Sequence, residues 1–292
     1  MNANTQPTYK RQRFLLAFIR QLNESVSATD LQKLVFLHTM QEGRDFYEFL
    51  PYRFGSYSFQ LTEDVDILSK NGYLAVKNMR EGKHVEAIGI YSKENLFSIE
   101  SERGNNLIRK AYRKYPYYTI KSEMVDRLYF SEEDLIHFNT EKQKYSQTEQ
   151  FLFTIGYEGK SIEAFVNTLI QNGVKVLCDV RKNPLSRKFG FSKSKLEHIV
   201  GTVGIKYIHM PSLGIESDKR CSLNSDEDYT ALFAEYSKAL VGLTSQLGQV
   251  YSLLCTNNRI ALMCFEKNAK MCHRHVISNY IVTANKVRSE DL

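Results

Sequence analysis

Within eleven residues, from Cys264 to Arg274, the chain places two thiols, a carboxylate, an imidazole and a guanidinium: Cys264, Glu266, Cys272, His273 and Arg274. Those groups suit attack by a thiolate, proton transfer by a carboxylate or imidazole, and the grip of an arginine on phosphate. The surrounding stretch, IALMCFEKNAKMCHRHVISNYI, predicts how they are held. Ile260 to Phe265 is a short apolar run of the kind buried on both faces of a parallel sheet. Asn268 then suits the cap of a helix that keeps Met271, Ile277, Tyr280 and Ile281 on one side. Cys264 and Glu266 would stand at the carboxyl end of the strand, and Cys272, His273 and Arg274 in the first turns of the helix. In open α/β sheets ligands bind at that edge, where a helix N-terminus offers free amides and eases ionisation of a thiol.

The elements that must position these groups begin at residue 151. Phe151 to Ile155 reads as a strand and Gly156-Tyr157-Glu158-Gly159 as a turn. Ser161 starts a helix that buries Ile162, Phe165, Val166, Leu169 and Ile170, ended by Asn172-Gly173, and Val174 to Val180 is the next strand. Strand, helix, strand at this spacing is one right-handed crossover of a parallel sheet. A helix near Ser194 to Val200, a strand Lys206 to His209 and helices within Asp226 to Leu254 complete an α/β domain of about four parallel strands. Each strand ends in polar groups: Tyr157 and Glu158, then Asp179 and Arg181, then His209, then Cys264 and Glu266. A core strand has no need of such endings, and their coincidence marks a pocket. The loop after Arg181 adds Ser186, Arg187, Phe191 and Lys193, which suit a phosphate and a stacked base. Asp179 with Glu158 or Glu266 makes an acid–base pair, or else the carboxylates fix Arg181 and Arg274. As residues at strand ends, Asp179 and Glu266 are expected outside the core.

Upstream, Phe14, Leu15, Phe18, Ile19 and Leu22 recur at helical spacing, and a second helix capped by Ser27 or Thr29 runs through Leu31, Leu34, Val35 and Leu37. A third spans roughly Phe59 to Lys70. Strands at Tyr73–Lys77 and Val85–Tyr91 pair around Arg80-Glu81-Gly82-Lys83. Three helices followed by a hairpin is a winged-helix order. Its third helix carries Glu63, Asp64 and Asp66, which would repel phosphates, so dimerisation or protein docking is favoured over reading of duplex DNA. From Leu96 to Tyr118, basic residues alternate with tyrosines, as on a strand-binding surface or a plain solvated helix. The polar, weakly periodic stretch 131–150 marks the boundary, which gives domains of 1–147 and 148–292.

The chain of 292 residues is 42% hydrophobic, long enough for two cores, and no apolar run approaches the roughly 18 residues of a membrane span. The N-terminus lacks an apolar signal core, and five cysteines without CxxC spacing read as reduced thiols, so a cytoplasmic location is expected. Residues 1–150 hold 21 basic and 20 acidic side chains, and residues 151–292 hold 18 and 13. The excess of +5 in the second part agrees with an anionic ligand or a solvated surface.

Four motifs in order, TIGYEGKSIEAFV, LCDVRKNPLSRKFGFSK, IKYIHMPSLG and LMCFEKNAKMCHR, resemble the domain-of-unknown-function-488 family over residues 151–285. The family pattern falls on Gly156, Tyr157, Glu158, Asp179, Arg181, Pro184, Ser186, His209, Cys264, Glu266, Cys272, His273 and Arg274. The resemblance implies a Rossmann-like α/β domain with an enzymatic role, in the company of nucleic-acid or defence functions. Residues 11–91, through LQKLVFLHTM and PYRFGSYSFQLTEDVDILSKNGYL, resemble the Panacea antitoxin and YwgA-like families, which implies a winged-helix-like interaction module. Over three residues, Cys272-His273-Arg274 is similar to the active-site tripeptide of alkylguanine-DNA alkyltransferases.

The expected protein is therefore a winged-helix-like helical domain followed by a Rossmann-like α/β domain. The second domain is expected to be an enzyme acting on nucleic acid or a nucleotide by hydrolysis, in base removal or repair-type chemistry. Glu158, Asp179, Glu266 and Cys272 are the candidate catalytic residues. Tyr157, Arg181, Ser186, Arg187, Phe191, His209, His273 and Arg274 are the candidates for binding substrate. No cofactor is expected, since Gly156 to Gly159 lacks GxGxxG spacing. No metal is expected either, since neighbouring residues on a helix do not converge on one ion. The alternatives are a Cys272-dependent transferase acting on DNA and a non-catalytic nucleotide sensor. Homodimerisation through the N-terminal domain is a further expectation.

Overall fold

The computed structural model describes residues 6–43, 46–89, 97–216, 218–220, 223 and 225–292. The chain divides into two units, Met1–Lys142 and Gln143–Leu292.

In the first unit, α1 (Lys10–Leu22), β1 (Val26–Ser27), α2 (Ala28–Glu42), the hairpin β2 (Leu50–Tyr52) and β3 (Gly55–Tyr57), α3 (Phe59–Lys70), β4 (Leu74–Met79) and β5 (Gly82–Ala87) are followed by α4 (Gly104–Lys114) and α5 (Glu132–Gln143). Serine hydroxyls start α2 and α3, Ser27 accepting from the Asp30 amide and Ser58 from the Leu61 amide. β5 pairs antiparallel with β1 on one side and β4 on the other. The end of the strand expected over 85–91 lies outside the described residues.

Two readings change here. Of the acids of α3, Asp64 is fully buried and accepts from Arg11 Nε at 2.7 Å, Gln12 Nε2 at 2.8 Å and Tyr47 Oη at 2.9 Å, so it belongs to the core. Around α4, the tyrosines that alternate with cations turn inward: Tyr112 is fully buried, and Tyr115 and Tyr118 pack against the same core. Arg103, Lys110 and Arg113 pair with Glu24, Glu100 and Asp134. Tyr112, Tyr115 and Tyr118 are packing residues of α4 and the turn after it rather than a platform for bases.

Lys33 of α2 is also buried, its Nζ donating to the Ser56 carbonyl at 2.7 Å. Burial pushes its ammonium down to about 7, against the opposing charge of Asp30. Between pH 7 and the ordinary lysine value of 10.5 the folded unit holds fewer protons than the unfolded chain. Stability therefore rises with pH across that window, by at most ~1.4 kcal/mol per pH unit. Lys33→Met removes the titrating group. Denaturant melts of both proteins at several pH values should show the variant's advantage shrinking as pH rises, and a gap independent of pH would refute the assignment.

Among its described residues, the second unit is built on a five-stranded parallel sheet. β6 (Phe151–Gly156), α6 (Ile162–Gln171), β7 (Val176–Asp179), α7 (Lys193–Thr202), β8 (Lys206–His209), α8 (Asp226–Leu240), α9 (Thr244–Asn257), β9 (Arg259–Cys264), α10 (Arg274–Asn285) and β10 (Ser289–Asp291) alternate along the chain. The strand order is β10-β6-β9-β7-β8. Register pairs Gly156 with Cys264 and Asp179 with Met263, so β6, β9 and β7 finish level at the centre of one edge. Right-handed crossovers put α6 and α7 on one face and α8, α9 and α10 on the other. On the latter face Leu152, Val176, Cys178, Ile260 and Leu262 pack with Leu247, Val250, Leu254, Ile277 and Ile281.

Sequence periodicity located every strand of this sheet except β10, whose Ser289-Glu290-Asp291 is exposed and carries no apolar signal. The segment after β9 also differs from expectation. Asn268 accepts from the Lys270 amide but caps only a single 3-10 turn, Ala269–Met271. Cys272 then adopts an extended conformation (φ −139°, ψ 139°), and α10 begins at Arg274 behind His273. Cys272 and His273 therefore precede the helix.

Candidate active site at the carboxyl edge of the sheet

Close backbone approaches set the site. A Cβ on Gly156 would run into the Glu266 carbonyl, and one on Gly214 into the backbone of Lys182. Glycine at these two positions lets the turn after β9 lie across the end of β6, and the 211–215 segment against the loop after β7.

At the end of β7, Asp179 is wholly buried and receives Arg181 Nε at 2.8 Å and Nη2 at 2.5 Å, together with the Arg181 amide at 3.1 Å. The Tyr207 hydroxyl donates to the same carboxylate at 2.6 Å, and burial followed by the charge of Asp179 pushes that phenol well above its ordinary range. Arg181 Nη1 donates to the Tyr157 hydroxyl at 3.1 Å and the Phe191 carbonyl at 2.9 Å. Four of its five side-chain N–H groups are thus spent inside the fold. Tyr157 stacks on Phe191 with ring centroids 4.3 Å apart, and Phe265 meets Tyr157 edge-on at 5.2 Å.

Arg274, also fully buried, donates to the Glu266 carbonyl at 2.5 Å, the Lys267 carbonyl at 3.1 Å, Asp291 at 3.1 Å and Thr154 at 3.3 Å. It pins the turn that carries Glu266. Glu158 reinforces the turn from outside, accepting from the Lys267 amide at 2.9 Å.

The end of β9 and the start of α10 gather sulfur and imidazole. His273 Nδ1 lies 3.9 Å from Cys264 Sγ and 3.8 Å from Cys272 Sγ, while its Nε2 meets the Val180 carbonyl at 3.0 Å. All three residues are buried, and their ligating atoms fall within 4.8 Å of one another. The Cys264 thiol is held well below its ordinary range, first by the hydrogen bond from Cys272 and then by His273, against the effect of burial. Cys272 is pushed up by burial and by its neighbour's charge.

Above these groups opens a cleft of about 410 Å³. Of the expected site residues it is lined by Tyr157, Arg181, Glu266 and His273, with Cys264 beside them, and Lys182, Asn183, Leu185, Ile215 and Phe265 complete it. Asp179 and Arg274 lie beneath and brace it. Phe191 is fully buried in the Tyr157 stack, which leaves no open ring face for a base. Cys272 is below the floor. Ser186 accepts from the Lys188 amide, and exposed Arg187 is not among the lining residues. His209 meets the Arg181 carbonyl at 3.0 Å and faces a separate pocket. A larger groove of about 1010 Å³ between α8 and α10 draws no residue from a strand end.

Sequence reading passed over Lys182, Leu185 and Phe265. Each is next to, or a few residues from, a residue it did select, and exposure is the signal that separates them: Leu185 is 76% and Phe265 44% exposed.

Fold and cleft define an α/β domain with a polar site at the carboxyl edge of a parallel sheet. Residues 161–281 match the family described as Domain of unknown function DUF488. No curated protein and no solved structure matches the chain. No helix among the described residues is long and apolar enough to cross a membrane.

The burial of Asp179 reverses the expectation that it stands outside the core. Asp179→Asn should lower stability by about 3–5 kcal/mol, because it strands a buried guanidinium. Denaturant unfolding of the full chain measures this. An unchanged transition would mean that Asp179 is not the partner that neutralises Arg181.

Proposed function

We propose that the second unit is an enzyme that hydrolyses a bond in a nucleotide or nucleic-acid substrate held in the cleft at the carboxyl edge. The observation that carries this reading is the convergence of Glu266 and His273 with Lys182 in one cleft, above a floor made rigid by Arg181 and Tyr157. Glu266 is the group placed to move a proton: its backbone is pinned by Arg274, and it lines the cleft. Lys182 supplies charge for a phosphate. Its ion pair with Glu216 at 2.6 Å joins two exposed side chains, and such pairs are worth about 0–1 kcal/mol, so an anion can displace it. Phe265, exposed at the rim, offers a ring face for a base in place of buried Phe191. The basic excess of residues 151–292 supports an anionic substrate.

Incubation of the full chain with nucleosides, nucleotides and single- and double-stranded oligonucleotides, followed by detection of released base or phosphate, tests the reading. Turnover is expected, and Glu266→Gln should reduce it by roughly 10²–10⁴-fold with little change in melting temperature. Saturable binding without turnover would replace the enzyme by a nucleotide sensor. Equal turnover in Glu266→Gln would take the proton-transfer role away from that residue.

A further inference from the structure

The hydrolytic reading leaves Cys264 and Cys272 without a task, although both are buried against one imidazole. We infer that Cys264, Cys272 and His273 bind a divalent zinc-class ion whose fourth coordination position faces the cleft.

Distances and the direction of the imidazole lone pair both point to this. In a tetrahedral zinc site with Zn–S near 2.3 Å and Zn–N near 2.0–2.1 Å, sulfur and nitrogen ligands lie about 3.6 Å apart and two sulfurs about 3.8 Å. The Nδ1–Sγ distances of 3.9 and 3.8 Å are within a few tenths of that spacing. The Val180 carbonyl can only accept, so His273 Nε2 carries the proton and donates to it. In the neutral ring Nδ1 then keeps a lone pair facing the two sulfurs. A carbonyl that holds the far nitrogen of a ligating imidazole is the usual outer support of a metal site.

The backbone makes the convergence possible. On a helix, Cys272 and His273 would diverge. In the observed extended conformation of Cys272 (φ −139°, ψ 139°) both reach the end of β9, where Cys264 waits. Two thiolates and one divalent ion sum to zero charge, which suits burial better than a lone thiolate does. Thiolate and imidazole donors select zinc over magnesium or calcium. Cys264 and His273, though not Cys272, line the cleft, so the position left open faces the substrate space. Three protein ligands and an open place make a catalytic rather than a purely structural site. Occupancy stands on this geometry alone. The ion's role as the Lewis acid that acidifies a bound water beside Glu266 rests on the hydrolytic reading.

The test uses the full chain, expressed with zinc supplementation, purified reduced and without chelators, dialysed and analysed for metal by mass spectrometry. One zinc per chain is expected. Cys272→Ser and His273→Ala should lose it, and Cys255→Ser, which alters an exposed cysteine away from the cluster, should keep it. If the buried substitutions unfold the protein, cobalt reconstitution of the unmutated chain decides. Sulfur-to-cobalt charge transfer with intense ligand-field bands supports the site, and their absence overturns it. Reduced protein that retains no zinc, or a Cys264–Cys272 disulfide in its place, also overturns it. Zinc bound without turnover removes the hydrolytic reading and leaves the site, whereas turnover that survives removal of the zinc takes away the ion's Lewis-acid role and leaves both the site and the reading.

Discussion

Taking a carboxylate and a guanidinium out of water costs several kcal/mol per ion, and the pair repays this only when every remaining donor and acceptor is satisfied. Asp179 and Arg181 approach that condition, with four of the five guanidinium N–H groups bonded, through the Tyr157 hydroxyl, the Phe191 carbonyl and the Tyr207 hydroxyl. The same contacts that make the pair tolerable fix the architecture around it. Tyr157 is set at the end of β6, the loop after β7 is tied back at Phe191, and β8 is bound to β7 through Tyr207 as well as through the backbone ladder. An apolar replacement of equal volume could match the stability. It would not specify where the Tyr157 ring or the start of the 182–192 loop must lie.

Arg274 does the corresponding task on the other side of the cleft, holding the carbonyls of Glu266 and Lys267 together with Thr154 of β6 and Asp291 of β10. Of the three arginines that a phosphate-binding reading would enlist, Arg181 and Arg274 are therefore turned inward, and exposed Arg187 does not line the cleft. The charge left in the cleft for an incoming anion sits on Lys182. Lysine provides a mobile point charge in place of a planar fork, so the cleft attracts anions without the bidentate geometry that arginine imposes. Discrimination among substrates then falls to the shape between Leu185, Ile215 and Phe265.

Much of this was legible in the sequence because parallel strands buried on both faces leave long apolar runs, and the polar residues that end them stand out. Val176–Asp179 and Arg259–Cys264 were found in that way, as was the convergence of their ends, whereas the half-exposed Lys206–His209 was placed by its position after a helix. Residue type did not reveal which polar side chains face the cleft and which brace it from below. Arg181 and Arg274 read as phosphate ligands because a guanidinium is seldom fully buried. Only the positions of Asp179 and Asp291 show what neutralises them. Phe191 read as a stacking surface for the same reason, since sequence does not tell that its ring is already taken by Tyr157. β10 escaped notice because an exposed edge strand has no apolar alternation to report it.

The stretch between β9 and α10 shows how little backbone separates two chemistries. Read as a helix capped at Asn268, KNAKMCHRH gives Cys272 a place near free amides, where a thiolate is stabilised by the helix terminus. The observed chain makes one 3-10 turn, with the Cys272 amide bonded to the Ala269 carbonyl at 3.0 Å, and then extends for a single residue. That residue swings Cys272 beneath the end of β9 and aligns His273 with Val180, so the dipole of α10 begins beyond the thiol instead of at it. Helix propensity alone does not favour this break. What compensates is burial: Cys272 and Ile277 both enter the core against Cys264 and Leu262, and Arg274 gains its carbonyl ligands only if α10 starts where it does. Tertiary packing thus overrides the local signal, and it exchanges a solvent-facing thiol at a helix end for a closed set of two sulfurs and one nitrogen.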